Sequence, residues 1–268
     1  MEKFTTMLLT RPEPGLMLIT LNRPDSLNAI GPDMLDEFDN LFRLLNEDES
    51  IKVVIITGAG RGFCAGADLM AAVTHEKTDH FKDPERFIKL VQERYGSIIQ
   101  GFRKIPQPVI AAVNGPAAGG GFCIALAADV RIAAPEALFV ASFINIGLSG
   151  GELGSSYLLP RLIGLSAAAD ILYSGRKVRA DEAEKIGLVK KVVPVDKLME
   201  AAVEIAKPML AKSGAALKFT KRALDQNIDA PSLEVAMNFE NRNQTIMVFS
   251  GTFFEMVKNF TASTAGKK

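Results

Sequence analysis

Apolar residues in the first two-thirds of the chain follow two rhythms, short unbroken runs and helical stripes. Their alternation predicts stacked strand and helix units, an α/β protein and not an all-helical one. Gly15 to Leu21 reads as a strand, closed by the turn-forming sequence NRPDS. Gly31 and Pro32 open a helix in which Met34, Phe38, Leu41 and Leu45 recur at spacings of four, three and four residues, giving one buried stripe. Val53 to Thr57 is a continuous apolar run, as in a strand covered on both faces. Residues 73–84, charged and containing His75 and His80, have no apolar period and read as a surface loop before a helix from about Pro84 to Phe102. A second buried strand starts at Pro108 and runs into the triple glycine Gly119 to Gly121, followed by the apolar helix FCIALAAD. From about Val195 the pattern becomes entirely helical. Asp196 is the expected N-cap of a helix to Leu210, Gly214 a break before the next, and Thr252 with Glu255 a capping box for a last short helix. Residues 1–195 are therefore read as the core and residues 196–268 as a helical region laid on it.

Composition narrows the function classes. A chain of 268 residues with 48% apolar and 23% charged content can bury a sizeable core. Its 31 basic and 31 acidic residues cancel, so no global field attracts nucleic acid, and an anionic ligand needs a local basic patch. Glu2, Pro12 and Pro14 break up the N-terminal apolar stretch, unlike a secretory signal, and no run of about eighteen apolar residues predicts a membrane span. Cys64 and Cys123 cannot form a framework of several disulfides and have no histidine nearby for a zinc site, so no metal is expected and a reducing, cytoplasmic compartment fits.

Two glycine-containing segments carry candidate chemistry. In FCAGADL, Gly66 lets the chain turn closely enough for the Ala67 amide to point outward. In NGPAAGGGF, the glycines stand where strand gives way to helix, and the first helical amides lack internal partners. Either segment alone reads as a packing turn. GGGF lacks the GxGxxG spacing of a dinucleotide site, and no GKS or GKT follows as in a phosphate loop. Converging, the two segments would form an oxyanion hole.

Read in order, LNRPDSLNAI, VVIITGAGRGFCAGADL, PVIAAVNGPAAGGGFCIALAAD, LLPRLIG and LYSGRKVRADEAEKIGLV resemble the crotonase, or enoyl-CoA hydratase/isomerase, superfamily over roughly residues 10 to 260. The resemblance implies a crotonase-like ββα spiral whose C-terminal helices mediate homotrimers, commonly paired as dimers of trimers. It implies an acyl-CoA thioester substrate, with coenzyme A part of the substrate and no separate cofactor. It makes Ala67 and Gly120 the oxyanion-hole donors, and Asp25, Ser26 and Leu27 with Ala65, Asp68 and Leu69 the CoA-lining residues. Many members carry a basic residue after NRP, where this chain has Asp25. Lys258 is a candidate phosphate partner, against its reading as a solvated helix lysine.

Hydratases of this superfamily use two glutamates, and counting along the shared motifs places Cys123 and Phe143 at those positions. Water addition needs a base for water and an acid for the α-carbon, so two-glutamate hydration is not expected. Glu152, nine residues before Arg161, stands where several isomerase relatives carry their acid, and the following SSY and proline resemble Δ3,Δ2-enoyl-CoA isomerases of the peroxisomal type. The expected reaction is a double-bond shift by one base, with Phe143, Ile144 and Leu148 as an apolar wall. The alternatives are a dienoyl-CoA isomerase, a hydratase-like enzyme with displaced acids, and a non-catalytic acyl-CoA binder. A helix starting near Gly151 would instead make Glu152 a solvated first-turn residue. Cys123 reads as packing, and Ser149 and Ser155 lack a nearby histidine for serine hydrolysis.

Overall fold

A computed structural model of the protein describes residues 4–69, 83–251, 253–254, 256–258 and 261. The loop of residues 73–82 with His75 and His80, and the capping pair Thr252 and Glu255, lie outside the described residues. Strands β1 (Met7–Thr10), β2 (Leu16–Leu21), β3 (Val53–Gly58), β4 (Val109–Val113) and β6 (Val130–Ala133) form one sheet in the order β1-β2-β3-β4-β6. β1 pairs antiparallel with β2, and the other neighbours are parallel. A smaller sheet joins β5 (Ala117–Ala118), β7 (Leu138–Val140) and β8 (Lys177–Arg179) in the order β5-β7-β8.

Parallel pairing requires long crossovers, and these supply the helices that cover the sheet. α1 (Pro32–Glu47) follows β2. α2 (Pro84–Phe87), a π turn and α3 (Glu93–Lys104) precede β4. The helix predicted from Pro84 is thus present, with a π turn at Ile88–Gln92. α4 (Gly120–Ala127) follows β5 and is buried along its whole length. Neighbouring residues of one strand enter different cores. Val54 and Ile56 join the stripe of α1, Met34, Phe38, Leu41 and Leu45, while Val53 and Ile55 face Leu198, Ala202 and Ala206. That two-sided burial is why the strands read as unbroken apolar runs.

The remaining helices are α5 (Ser155–Ile163), α6 (Leu165–Ser174), α7 (Ala180–Lys185), α8 (Leu198–Leu210), α9 (Gly214–Asn227) and α10 (Leu233–Phe249). α8 supplies the residues that close the outer core. Its start differs from expectation: Asp196 is no N-cap, because Val195–Lys197 forms a 3-10 turn whose Lys197 amide bonds the carbonyl of Pro194. The backbone at Pro194 leads the chain into the helix, so no carboxylate cap is used. α9 is pinned by Lys221, 5% exposed, whose Nζ donates to the carbonyls of Phe102 (2.8 Å) and Gln107 (2.9 Å) and pairs with Asp129 at 3.0 Å. α10 buries Asn243 alone among its residues and leaves Leu233 and Phe249 76% and 84% exposed. No described helix is long and apolar enough to cross a membrane.

Candidate active site

β2, β3 and β4 run parallel, so the segments leaving their carboxyl ends emerge along one edge, where α/β sheets characteristically bind ligands. Three segments meet there. The chain after β2 passes a 3-10 turn, Pro24–Ser26, then two left-handed residues, Leu27 and Asn28, before Ile30. Asn28 is wholly buried. Its Oδ1 accepts from the Arg23 amide at 2.8 Å, and its Nδ2 donates to the carbonyls of Ala59 (3.0 Å) and Gly62 (2.8 Å), tying the first segment to the second.

The second segment, Phe63 to Leu69, is held between the other two. Ala65 donates to the Leu27 carbonyl at 2.9 Å, and Cys64 forms a parallel bridge with Ala117. Ile30 forms a parallel bridge with Ala67, its N–H donating to Gly66 O at 2.7 Å and its carbonyl accepting from Asp68 N at 3.0 Å. In such a bridge the residue between the two bonded positions turns its own N–H and C=O away from the partner strand. The Ala67 amide therefore faces away from Ile30, and it has no acceptor among the described residues.

Gly66 is needed for the contact on that other side. Its φ is +87°, and a Cβ there would stand 2.7 Å from Ala118 O and 2.9 Å from Gly120 N, too close for any side chain. The two glycine turns thus touch main chain to main chain. Gly119, at φ +51°, donates to Val140 O at 2.9 Å and lets the chain turn directly into α4. Gly120 is the first residue of that helix, and its N–H has no acceptor among the described residues. Two unengaged amides, Ala67 and Gly120, are brought together by segments some fifty residues apart.

Glu152 is brought to the same place. It is half-buried in a turn ahead of α5, which starts at Ser155, so it is not a first-turn residue of a helix beginning near Gly151. Its carbonyl accepts from the Cys123 thiol at 3.6 Å, and the side chain of the next residue, Leu153, comes within 3.6 Å of where a Cβ on Gly120 would stand. Burial pushes the Cys123 thiol far up, and the nearby Glu152 charge and then Cys64 push it further; burial likewise pushes Cys64 up to about 12. Both cysteines are therefore protonated packing residues, poor nucleophiles at neutral pH. No described residue bonds the Glu152 carboxylate. Ser155 is fully buried, its hydroxyl donating to Gly150 O and accepting from Glu152 N–H, both at 3.0 Å, which leaves no free nucleophile there.

The apolar wall is narrower than expected. Phe143 lies over Gly119, its Cε1 3.6 Å from where a Cβ would be. Ile144 and Leu148 are 36% and 50% exposed, because the 3-10 turn Ile144–Ile146 directs Ile144 toward Gly175 instead. Leu153, which sequence periodicity does not mark, takes the place over Gly120. Among the residues read as CoA-lining, Asp25 is exposed, while Ser26 and Leu27 are half-buried, Leu27 packing on Gly62. Ala65 is half-buried beside them and Leu69 is 52% exposed. Asp68 is tied to Arg23 at 3.0 Å, an ion pair that no local pattern in the sequence signals. Lys258 is an exposed helical residue that no described contact joins to this edge.

An amide pair at the carboxyl edge of a parallel sheet, with a half-buried acid beside it, defines a site able to stabilise an enolate and move a proton. The chain belongs to the enoyl-CoA hydratase/isomerase family, whose model matches residues 11–260, and it has the crotonase fold. It is 43% identical to a probable enoyl-CoA hydratase of Mycobacterium leprae over 93% of this chain and 84% of the relative. A probable enoyl-CoA hydratase/isomerase from Mycobacterium abscessus superposes with a TM-score of 0.87 at 39% identity, covering 98% of this chain and 97% of that one. A monofunctional enoyl CoA isomerase from Mycobacterium smegmatis is 44% identical, with a TM-score of 0.73 over 87% of this chain and 98% of that one.

Proposed function

We propose that the protein is an acyl-CoA isomerase that shifts the double bond of a 3-enoyl-CoA to the 2-position with Glu152 as its single base. The thioester oxygen sits between the amides of Ala67 and Gly120, which stabilise negative charge as it develops and so acidify the α-carbon. The Glu152 carboxylate takes the α-proton to give a dienolate, and the resulting carboxylic acid returns that proton to the γ-carbon. The double bond ends between α and β carbons with no net change in atoms or charge. Phe143 and Leu153 screen the intermediate from water.

The observation that carries this reading is half-buried Glu152 beside the amide pair, its carboxylate bonded by no described residue, with Cys123 and Phe143 at the positions where the resemblance places a hydratase's two glutamates. The similarity to the enoyl CoA isomerase of Mycobacterium smegmatis supports it. The CoA moiety is placed along Asp25, Ser26 and Leu27 and along Ala65, Asp68 and Leu69, with Lys258 reaching a phosphate, and no further cofactor is required. The apolar exposure of α10 supports self-association as a homotrimer or a dimer of trimers. The two unpaired, buried cysteines suit a cytoplasmic setting.

Offering 3-enoyl, 2-enoyl and 3,5-dienoyl thioesters to the wild type and to Glu152→Gln tests the assignment. Isomerisation of the 3-enoyl form by the wild type, lost in the variant while acyl-CoA binding persists, is the expected result. Hydration of the 2-enoyl form without isomerisation, or tight binding with no turnover on any ester, would replace it with the hydratase or the binder.

A further inference from the structure

We propose that Ser155 is the positioning residue of the Glu152 base, an inference that rests on Glu152 being that base. The stretch Gly150 to Gly154 is neither helix nor strand, and it passes through two left-handed residues, Leu153 at φ +47° and Gly154 at φ +77°. A leucine holds that conformation where its surroundings over-determine it, and such strain concentrates at functional sites. Here the surroundings are identifiable. The fully buried Ser155 hydroxyl donates to Gly150 O and accepts from Glu152 N–H at 3.0 Å each, and the Ser155 amide donates to Glu152 O at 2.9 Å. The Cys123 thiol adds a contact to the same carbonyl, and the Leu153 side chain rests against the Gly120 turn.

Both main-chain polar groups of Glu152 are thereby fixed, while its carboxylate has no bonded partner among the described residues. The backbone is immobilised and the reactive end is left free, which is what a base shuttling a proton between two carbons of one substrate requires. A hydroxyl suits the clamp because one group must donate and accept at once. Alanine loses both bonds and threonine keeps both. Ser155 has no exposed surface, so it acts through Glu152 and does not touch substrate.

The test is steady-state kinetics on a 3-enoyl-CoA thioester with the wild type, Glu152→Gln, Ser155→Ala and Ser155→Thr, alongside thermal melts and the affinity for a saturated acyl-CoA. A base displaced by about an ångström loses on the order of 10²-fold in rate. Ser155→Ala is expected to lower kcat by about 10- to 100-fold with KM and acyl-CoA affinity within about two-fold, and Ser155→Thr to recover most of that loss. A Ser155→Ala enzyme with wild-type kcat, while Glu152→Gln is inactive, overturns the positioning role and leaves the base intact. Activity surviving in Glu152→Gln, or absent from the wild type, overturns the base reading itself. Losses shared equally by kcat, binding and melting temperature, with no recovery by threonine, reduce Ser155 to a structural residue. Should Ser155→Ala fail to fold, Ser155→Cys keeps a side chain of similar shape while weakening both clamp bonds, since a thiol is a weak donor and acceptor. The same kcat loss at near-constant KM is expected, and unchanged kcat overturns the proposal.

Discussion

Glu37 on α1 commits its carboxylate to the segment just ahead of β1, whereas Glu152 keeps its own free of any described partner. Glu37 is 7% exposed, and its oxygens accept from the amides and hydroxyls of both Thr5 and Thr6, at 2.6 to 3.1 Å. Burial works to raise its pKa, but the Thr6 hydroxyl, the Thr5 amide and hydroxyl and the Thr6 amide together outweigh it and hold the carboxyl below its ordinary value. Glu152 is half-buried beside two amides, yet no described residue bonds its oxygens, and the bonds around it go to its main chain. A glutamate saturated with donors is locked in its charged form and can only hold structure. One with a fixed backbone and free oxygens can exchange a proton.

Exchanging each glutamate for glutamine should separate the two roles, with the largest effect at Glu152. Glu152→Gln is expected to lower kcat for 3-enoyl-CoA isomerisation by about 10²- to 10⁴-fold, since glutamine cannot take the proton, while the melting temperature stays near that of the wild type. An isomerase rate within ten-fold of wild type would remove the distinction between the two residues. The next effect lies at Gly66, where the two turns that carry the amide pair meet. Gly66→Ala places a Cβ 2.7 Å from Ala118 O at a φ of +87°. It is expected to lower stability by about 2 kcal/mol and kcat by about 10²-fold, because the two turns must part and misalign one oxyanion donor. Melting curves and single-turnover rates report these separately, and an unchanged rate would show that the Ala67 amide is not a donor.

Much of this arrangement is legible in the sequence, and the illegible parts have physical reasons. The buried strands announce themselves, since residues such as Val53 to Ile56 are covered on both faces and carry no polar alternation. Gly66 and Gly119 are visible as glycines at the turns beyond two apolar strands, and their joint order with the NRP segment carries the family. The turn before α5 leaves no such mark. Leu153 adopts a left-handed conformation that its type disfavours, imposed by neighbours distant in sequence, and Ser155 looks like any helix-starting serine until its partners are seen. Asp196 fails as a cap for a related reason, because a 3-10 turn after Pro194 satisfies the local amides through backbone, which no side-chain signature reports. The Arg23–Asp68 pair and the Asn28 tether span 45 and up to 34 residues, beyond any local rule.

The smaller effects concern Glu37 and sharpen the same contrast. Glu37→Gln replaces one acceptor oxygen with an NH2 group that faces the Thr5 and Thr6 donors, so stability should fall by about 2 kcal/mol while kcat stays within two-fold of wild type. A loss of rate comparable to that of Glu152→Gln would mean that the first helix, and not the turn before α5, governs the site.

The last and smallest difference is one of pH. The folded-state pKa of Glu37 is depressed, so its contribution to stability is fully present above the unfolded value of about 4.3 and is lost as pH falls through the folded value. The gap in melting temperature between the wild type and Glu37→Gln should be constant from about pH 7 to 5 and close progressively below about pH 4. Closure occurs because protonation of the wild-type carboxyl removes the same acceptor capacity that glutamine lacks. A gap that widened in acid would mean that the Thr5 and Thr6 donors do not hold Glu37 in its charged form.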